Sequence, residues 1–187
     1  GAVIGLGWMG LLYDLADRTW DRFEITDANR PTPKLDVHRK FYFHDHPGEE
    51  GIPHSYSEAM WNRPDVELVA AADRDKNRLS AFKERYGISS VYTDAEQMLK
   101  TERPDIVAVV TNVSDRPDLT CLAVSCGAKG IVTEKPMCHS LEEADRMVQT
   151  CAASNVPLSC GSVTTTHPSF TKASEMILDG VIGQLLS

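Results

Sequence analysis

The chain has 187 residues, 42% of them hydrophobic and 25% charged, enough to bury one full core and the start of a second domain. Nineteen basic against 27 acidic residues leave a formal charge of −8, which excludes the broad basic field that nucleic acid or anionic lipid would need. No apolar run approaches the roughly 20 residues that span a bilayer, so neither nucleic acid nor membrane is an expected partner.

In chain order, "AVIGLG" (Ala2–Gly7) is a short apolar run that ends in glycines. A long polar segment follows between Leu11 and Pro53, rich in histidine: His38, His44 and His46 lie in it and His54 just beyond. Its "FYFHDHPGEEG" stretch, with His44, Asp45, His46, Glu49 and Glu50, is the one place where a metal could be imagined. No third-ligand spacing supports it, so no metal is expected. "VELVAAAD" (Val66–Asp73) is a second apolar run, closed by an acid. "DKNRLSAFKERYG" (Asp75–Gly87) spaces Leu79, Phe82 and Tyr86 as one helix face and stops at glycine.

A short β-branched piece, Ser90–Thr93, precedes the helical "DAEQMLKTE". "DIVAVVT" (Asp105–Thr111) is apolar throughout, as a strand covered on both faces should be. The next helix has Pro117 in its first turn and Gly127 past its end. "GIVTEKP" is a further strand running into Glu134, Lys135 and Pro136. Ser140 and Glu143 stand at capping-box spacing before another amphipathic helix, and "VPLSCGSV" reads as one more strand. The five cysteines, Cys121, Cys126, Cys138, Cys151 and Cys160, form no C-x-x-C pair. They are expected to be reduced core fillers in a cytoplasmic protein.

Strands alternating with helices predict parallel strands joined by right-handed crossovers, hence an α/β fold with a doubly wound sheet. Ligands then bind beyond the carboxyl ends of the strands. Four strand ends share that rim: the Gly5–Gly10 turn, Asp73, Thr111–Asn112 and Glu134–Lys135. Gly5, Gly7 and Gly10, with Leu6, Trp8 and Met9 between them, fit G-x-G-x-x-G directly after a strand. In that context the spacing predicts a dinucleotide's pyrophosphate at a helix N-terminus. The acid that holds the ribose normally follows about 20 residues later. Asp73 has the setting but stands 63 residues after Gly10, so roughly 40 residues are inserted between the first two strands. A carboxylate there repels a 2′-phosphate and favours NAD; Arg74 beside it could pair with that phosphate and admit NADP.

"GLGWMG", "VELVAAADRDKNRLSAFKERYG", "YTDAEQML", "PDIVAVVTN", "CGAKGIVTEKPM" and "GVIGQ" together resemble the N-terminal half of the glucose–fructose oxidoreductase/inositol dehydrogenase family, Gfo/Idh/MocA. The resemblance covers nearly the whole chain apart from the insertion. It implies a Rossmann-like NAD(P)-binding domain over residues 1–165, with an insertion at about 11–53. Residues 166–187 would be a linking helix and the beginning of a C-terminal α+β domain that carries the rest of the substrate pocket and the homo-oligomer contacts. It also implies that Lys135 lies beside the nicotinamide and touches the substrate hydroxyl. The bond before Pro136 is often cis in such proteins.

The expected reaction is hydride transfer between nicotinamide and a hydroxyl of a sugar, cyclitol or sugar acid. Cleavage of a glycosidic bond through transient oxidation, or a non-catalytic cofactor-sensing role, are the alternatives on the same fold. Two positions depart from the family: Asn112 stands where a proline is common, and Arg116 where a histidine is. Arg116 is a candidate contact for an anionic substrate, and His167, after the sixth strand, is a second substrate candidate.

Overall fold

A computed structural model describes residues 1–15, 53, 55–161 and 168–184. Six parallel strands form one sheet: β1 (Ala2–Ile4), β2 (Ala70–Ala72), β3 (Val91–Tyr92), β4 (Ile106–Val109), β5 (Gly130–Thr133) and β6 (Leu158–Cys160). Their order is β3-β2-β1-β4-β5-β6, two mononucleotide-binding halves that diverge between β1 and β4. The switch point of the sheet is therefore the crevice above Ile4 and Val109.

The register explains why β1, β2 and β4 are apolar at every position. Val3 pairs with Ala71 on one side and Ala108 on the other, and these three belong to one core cluster with Leu6, Leu11, Leu12, Leu15, Leu79 and Phe82. Their neighbours Ala2, Ile4, Ala70, Ala72, Val107 and Val109 point to the opposite face, against Met98, Leu99, Ala123 and Ile131. Alternation by two thus sends each of these three strands into two cores.

Among the described residues six α-helices accompany the strands: α1 (Tyr56–Trp61), α2 (Lys76–Tyr86), α3 (Ala95–Glu102), α4 (Arg116–Ser125), α5 (Leu141–Ala153) and, after β6, α6 (Pro168–Leu178). Their starts are set by side chains that accept otherwise unpaired amides. Ser55 accepts from Glu58 N, Asp75 from Asn77 N, and Asp94 from Gln97 N. Ser140 and Glu143 form the capping box their spacing predicts.

The helix after the glycine turn differs from the expected regular start. Trp8–Leu12 is a π-type turn in which the amides of Leu11 and Leu12 both reach the carbonyl of Gly7, at 2.9 and 3.0 Å. Leu11, Leu12 and Leu15 are buried, so these residues belong to the core. Residues 16–52 and His54, with the candidate metal cluster, lie outside the described residues.

Asp14 is fully buried at that point. It accepts from Arg85 Nε at 2.8 Å and from the Tyr86 hydroxyl at 2.6 Å. This ties the segment after the glycine turn to the end of α2. Burial, then the Asp14 carboxylate, raises the Tyr86 pKa well above the ordinary tyrosine value. In α6, by contrast, no residue is buried, and Phe170, Ile177 and Leu178 are exposed.

Candidate functional site

The first strand ends in a turn whose shape only glycine fits at two places. Gly5 has φ +94°, and a Cβ on it would lie 2.9 Å from the Val110 carbonyl and the Thr111 amide. A Cβ at Gly10 would overlap the Gly5 carbonyl oxygen. Gly7 is different: among the described residues a Cβ there would meet only Arg78 Nη1, at 3.9 Å. Among the described residues the space over Gly7 is otherwise open, and no side chain caps the helical turn that begins there. A helix start without a side-chain cap presents its first amides to a ligand. Trp8 and Met9 pack against the first core cluster, so their side chains face the core while their backbone borders the crevice.

Asp73 closes the second strand as expected, and it is tied to the turn. Its Oδ2 accepts from the Leu6 amide at 2.6 Å and its Oδ1 from the Asp75 amide at 2.8 Å. The first of these bonds spans the insertion and sets the acid beside the glycine turn. Arg74, the residue that could have admitted a 2′-phosphate, is 86% exposed and pairs with Asp115 at 3.4 Å. The guanidinium nearest the turn belongs instead to Arg78. Its Nη1 is 3.8 Å from Asp73 Oδ2, and its Nε is 3.5 Å from Asp75 Oδ2. Arg78 was not among the expected site residues. The signal for it is its place in the first turn of α2, five residues after Asp73.

At the carboxyl end of β5 the two charges of Glu134 and Lys135 part company. Glu134 is 5% exposed. Its Oε1 accepts from the Tyr56 hydroxyl at 3.0 Å and its Oε2 from the Lys135 amide at 3.0 Å. Lys135 and Pro136 are exposed on the rim, and the peptide between them is cis. Among the described residues no hydrogen bond or ion pair engages Lys135 Nζ.

Thr111 and Asn112 stand at the end of β4, where Thr111 Oγ1 donates to the Asn112 carbonyl at 3.2 Å and the Asn112 side chain is exposed. The glycine turn, Asp73, Thr111–Asn112 and Glu134–Lys135 thus share the carboxyl-end rim that the element order predicts.

Arg116 does not take the exposed, substrate-facing place expected of it. It is buried, and its guanidinium is used on main-chain carbonyls: Nε on Thr111 at 3.0 Å, and Nη1 on Glu134 at 2.9 Å and on Pro136. The reason is geometric, since the ends of β4 and β5 leave carbonyls converging above the start of α4, and a planar donor satisfies several at once. Burial lowers the Arg116 pKa, and the Glu134 charge works against that shift. His167, the other substrate candidate, lies outside the described residues. Among the described residues no group of three His, Cys, Asp or Glu could hold a metal ion, and no helix is long and apolar enough to cross a membrane.

The residues present fit a dinucleotide. The space over Gly7 would admit a pyrophosphate, and Asp73 lies where ribose hydroxyls would come. Thr111, Asn112, Lys135 and Pro136 border the remainder of the crevice.

The comparisons with known proteins agree. The sequence model of the Gfo/Idh/MocA "Oxidoreductase family, NAD-binding Rossmann fold" matches residues 51–162. D-apiose dehydrogenase of Paraburkholderia graminis is 33% identical over 118 residues, covering 63% of this chain and 31% of that protein. Myo-inositol 2-dehydrogenase of Thermotoga maritima is 28% identical over 120 residues, covering 64% and 36%. Among solved structures, myo-inositol 2-dehydrogenase of Lactobacillus plantarum superposes with a TM-score of 0.68 at 22% identity, covering 98% of this chain and 42% of that one; this likeness shows the fold. The chain therefore spans about a third of the length of the curated relatives it matches. With the family model covering more than half of its residues, the chain belongs to the Gfo/Idh/MocA oxidoreductases and carries their NAD-binding Rossmann domain.

Proposed function

We propose that this chain is the cofactor-binding part of an NAD-dependent dehydrogenase that moves a hydride between nicotinamide and a hydroxyl of a sugar, cyclitol or related polyol. The observation that carries the reading is the common rim of the Gly5–Gly10 turn, Asp73 and Lys135. The nicotinamide, when bound, accepts or returns the hydride. The chain's own residues bind, orient and handle the proton.

In this reading the amides after Gly7 hold the pyrophosphate, with Gly5 and Gly10 shaping the turn and Trp8 and Met9 lending backbone. Asp73 takes the ribose hydroxyls, and its charge disfavours a 2′-phosphate. Arg74, drawn to Asp115, is not placed to reverse that preference. Thr111, Asn112, Glu134 and Pro136 border the nicotinamide side. Lys135 is the catalytic group: its ammonium donates to the substrate oxygen, and the neutral amine can take the hydroxyl proton as the hydride leaves. Relatives named for D-apiose and myo-inositol point to polyhydroxylated substrates.

Residues 1–165 form the dinucleotide-binding domain, with an insertion at about 11–53 whose first residues, Leu11, Leu12 and Leu15, pack into the core. Residues 166–187 lead toward a second domain that completes the pocket and joins subunits into a homo-oligomer. His167 stands at that junction as a substrate candidate. Arg116 acts on the site indirectly, through the carbonyls of Thr111, Glu134 and Pro136.

The test is NAD⁺ reduction by the full-length protein that carries this chain, across a panel of cyclitols and aldoses. Turnover on at least one polyol, with Lys135→Ala lowering kcat by about 10²–10⁴-fold, is the expected result. Turnover unaffected by the Lys135 change would remove the catalytic assignment.

A further inference from the structure

Every polar atom of Glu134 has a partner. Its amide donates to the Val109 carbonyl at 3.3 Å. Its carbonyl accepts from Arg116 Nη1 at 2.9 Å and from Cys160 Sγ at 3.9 Å. Its Oε2 accepts from the Lys135 amide and its Oε1 from the Tyr56 hydroxyl. All of these partners but one belong to β4, α4, β6 or the strand end itself. Tyr56 comes from α1, 78 residues away in sequence.

A buried carboxylate needs donors on both oxygens or it turns toward the nearest cation or water. The nearest side-chain cation in sequence is the ammonium of Lys135, the very next residue. With the Tyr56 hydroxyl in place, Glu134 is held inward and Lys135 keeps its charge for the rim. Without it, Oε1 is free to compete for that ammonium.

Gly161 supplies an independent observation. It follows β6, with its amide 2.6 Å from the Thr133 carbonyl. A Cβ there would overlap the Tyr56 hydroxyl and lie 3.0 Å from Glu134 Oε1. Its φ lies outside the left-handed region, so space rather than backbone conformation excludes a side chain. The phenol occupies the volume that a residue-161 side chain would fill. Burial, and then the Glu134 charge, raises the Tyr56 pKa above the ordinary value, in keeping with a phenol that stays a donor.

We propose that Tyr56 is a positioning residue for Lys135: by holding the Glu134 carboxylate inward, with Gly161 leaving room for its hydroxyl, it keeps the Lys135 ammonium free at the cofactor rim. The inference rests on the proposed placement of Lys135 beside the nicotinamide.

The test is trace labelling of lysines in the full chain with acetic anhydride, read per residue by peptide mass spectrometry, with and without saturating NAD⁺. NADH fluorescence titration runs in parallel. Wild type, Tyr56→Phe and Gly161→Ala are compared, and the exposed Lys83, far along α2, serves as the internal standard. The wild-type protein is expected to show NAD⁺ slowing acylation of Lys135 at least fivefold. Both variants are expected to bind NADH and to label normally at Lys83, yet to lose that protection to below twofold, with Lys135 reacting more slowly in the absence of NAD⁺.

Variants protected as well as wild type would overturn the role of Tyr56 while leaving Lys135 in the site. Loss in Tyr56→Phe but not in Gly161→Ala would also overturn it, since the alanine displaces the same hydroxyl. NADH binding without any protection of wild-type Lys135 would instead overturn the placement of Lys135, and the inference with it.

Discussion

Glu134 and Lys135 are adjacent in sequence and opposite in environment, and the difference comes from the partners each can reach. The carboxylate finds two donors inside; the ammonium stands on the rim. Arg116 holds this arrangement from below through three main-chain carbonyls. Arg116→Met leaves those carbonyls without their donor and should cost about 1–3 kcal/mol in urea unfolding. Arg116→Lys should not restore it, because a single ammonium cannot match the planar fork. Equal stability of the methionine variant and wild type would show that the carbonyls find other donors.

At Tyr86 the sign of a pH effect can be worked out. Its pKa is raised in the folded protein, so above the ordinary tyrosine value near 10 the unfolded chain releases a proton that the native state keeps. The native state then binds more protons, and stability falls as pH rises from about 10 upward. Urea midpoints between pH 8 and 11.5 should fall less steeply in Tyr86→Phe than in wild type. Parallel profiles would remove the Asp14–Tyr86 pair as the cause.

At the scale of elements, the glycine turn separates two demands that its motif runs together. Gly10 is required by the fold, because a Cβ there overlaps the Gly5 carbonyl. Gly7 has no neighbour among the described residues closer to such a Cβ than Arg78 Nη1, at 3.9 Å. Gly10→Ala should therefore lower the thermal midpoint and abolish NADH binding together. Gly7→Ala should keep its midpoint within about 2 °C and still weaken NADH at least tenfold, since the added methyl makes no close contact with the described residues but stands where a pyrophosphate would approach. Equal loss of stability in both would contradict the distinction.

The alternating elements, the glycine spacing and the acid-ended second strand are local patterns, so the sheet and the rim were legible in the sequence. The roles of Arg116 and Tyr56 were not. Arg116 reads as a charged helix start, and only the convergence of β4 and β5 carbonyls buries it. Tyr56 meets Glu134 across 78 residues, a pairing that no periodicity encodes. Arg78 likewise depends on α2 turning its first face toward Gly7.

For the whole molecule, stability should reside in the two cores on either face of the sheet and not in the C-terminal helix. No residue of α6 is buried, whereas β1, β2 and β4 are closed on both faces. A chain ending at Gly161 should then melt within about 2 °C of the full chain. A markedly lower midpoint would place part of the core in residues 162–187.

In the proposed function this rim binds NAD through the glycine turn and Asp73. The most direct measurement is calorimetric titration of the chain, and of its Asp73→Ala variant, with NADH and NADPH separately. Tighter binding of NADH by wild type, and loss of that preference in Asp73→Ala, are the expected results. NADPH bound more tightly by the wild-type protein, or neither cofactor bound at all, would contradict it.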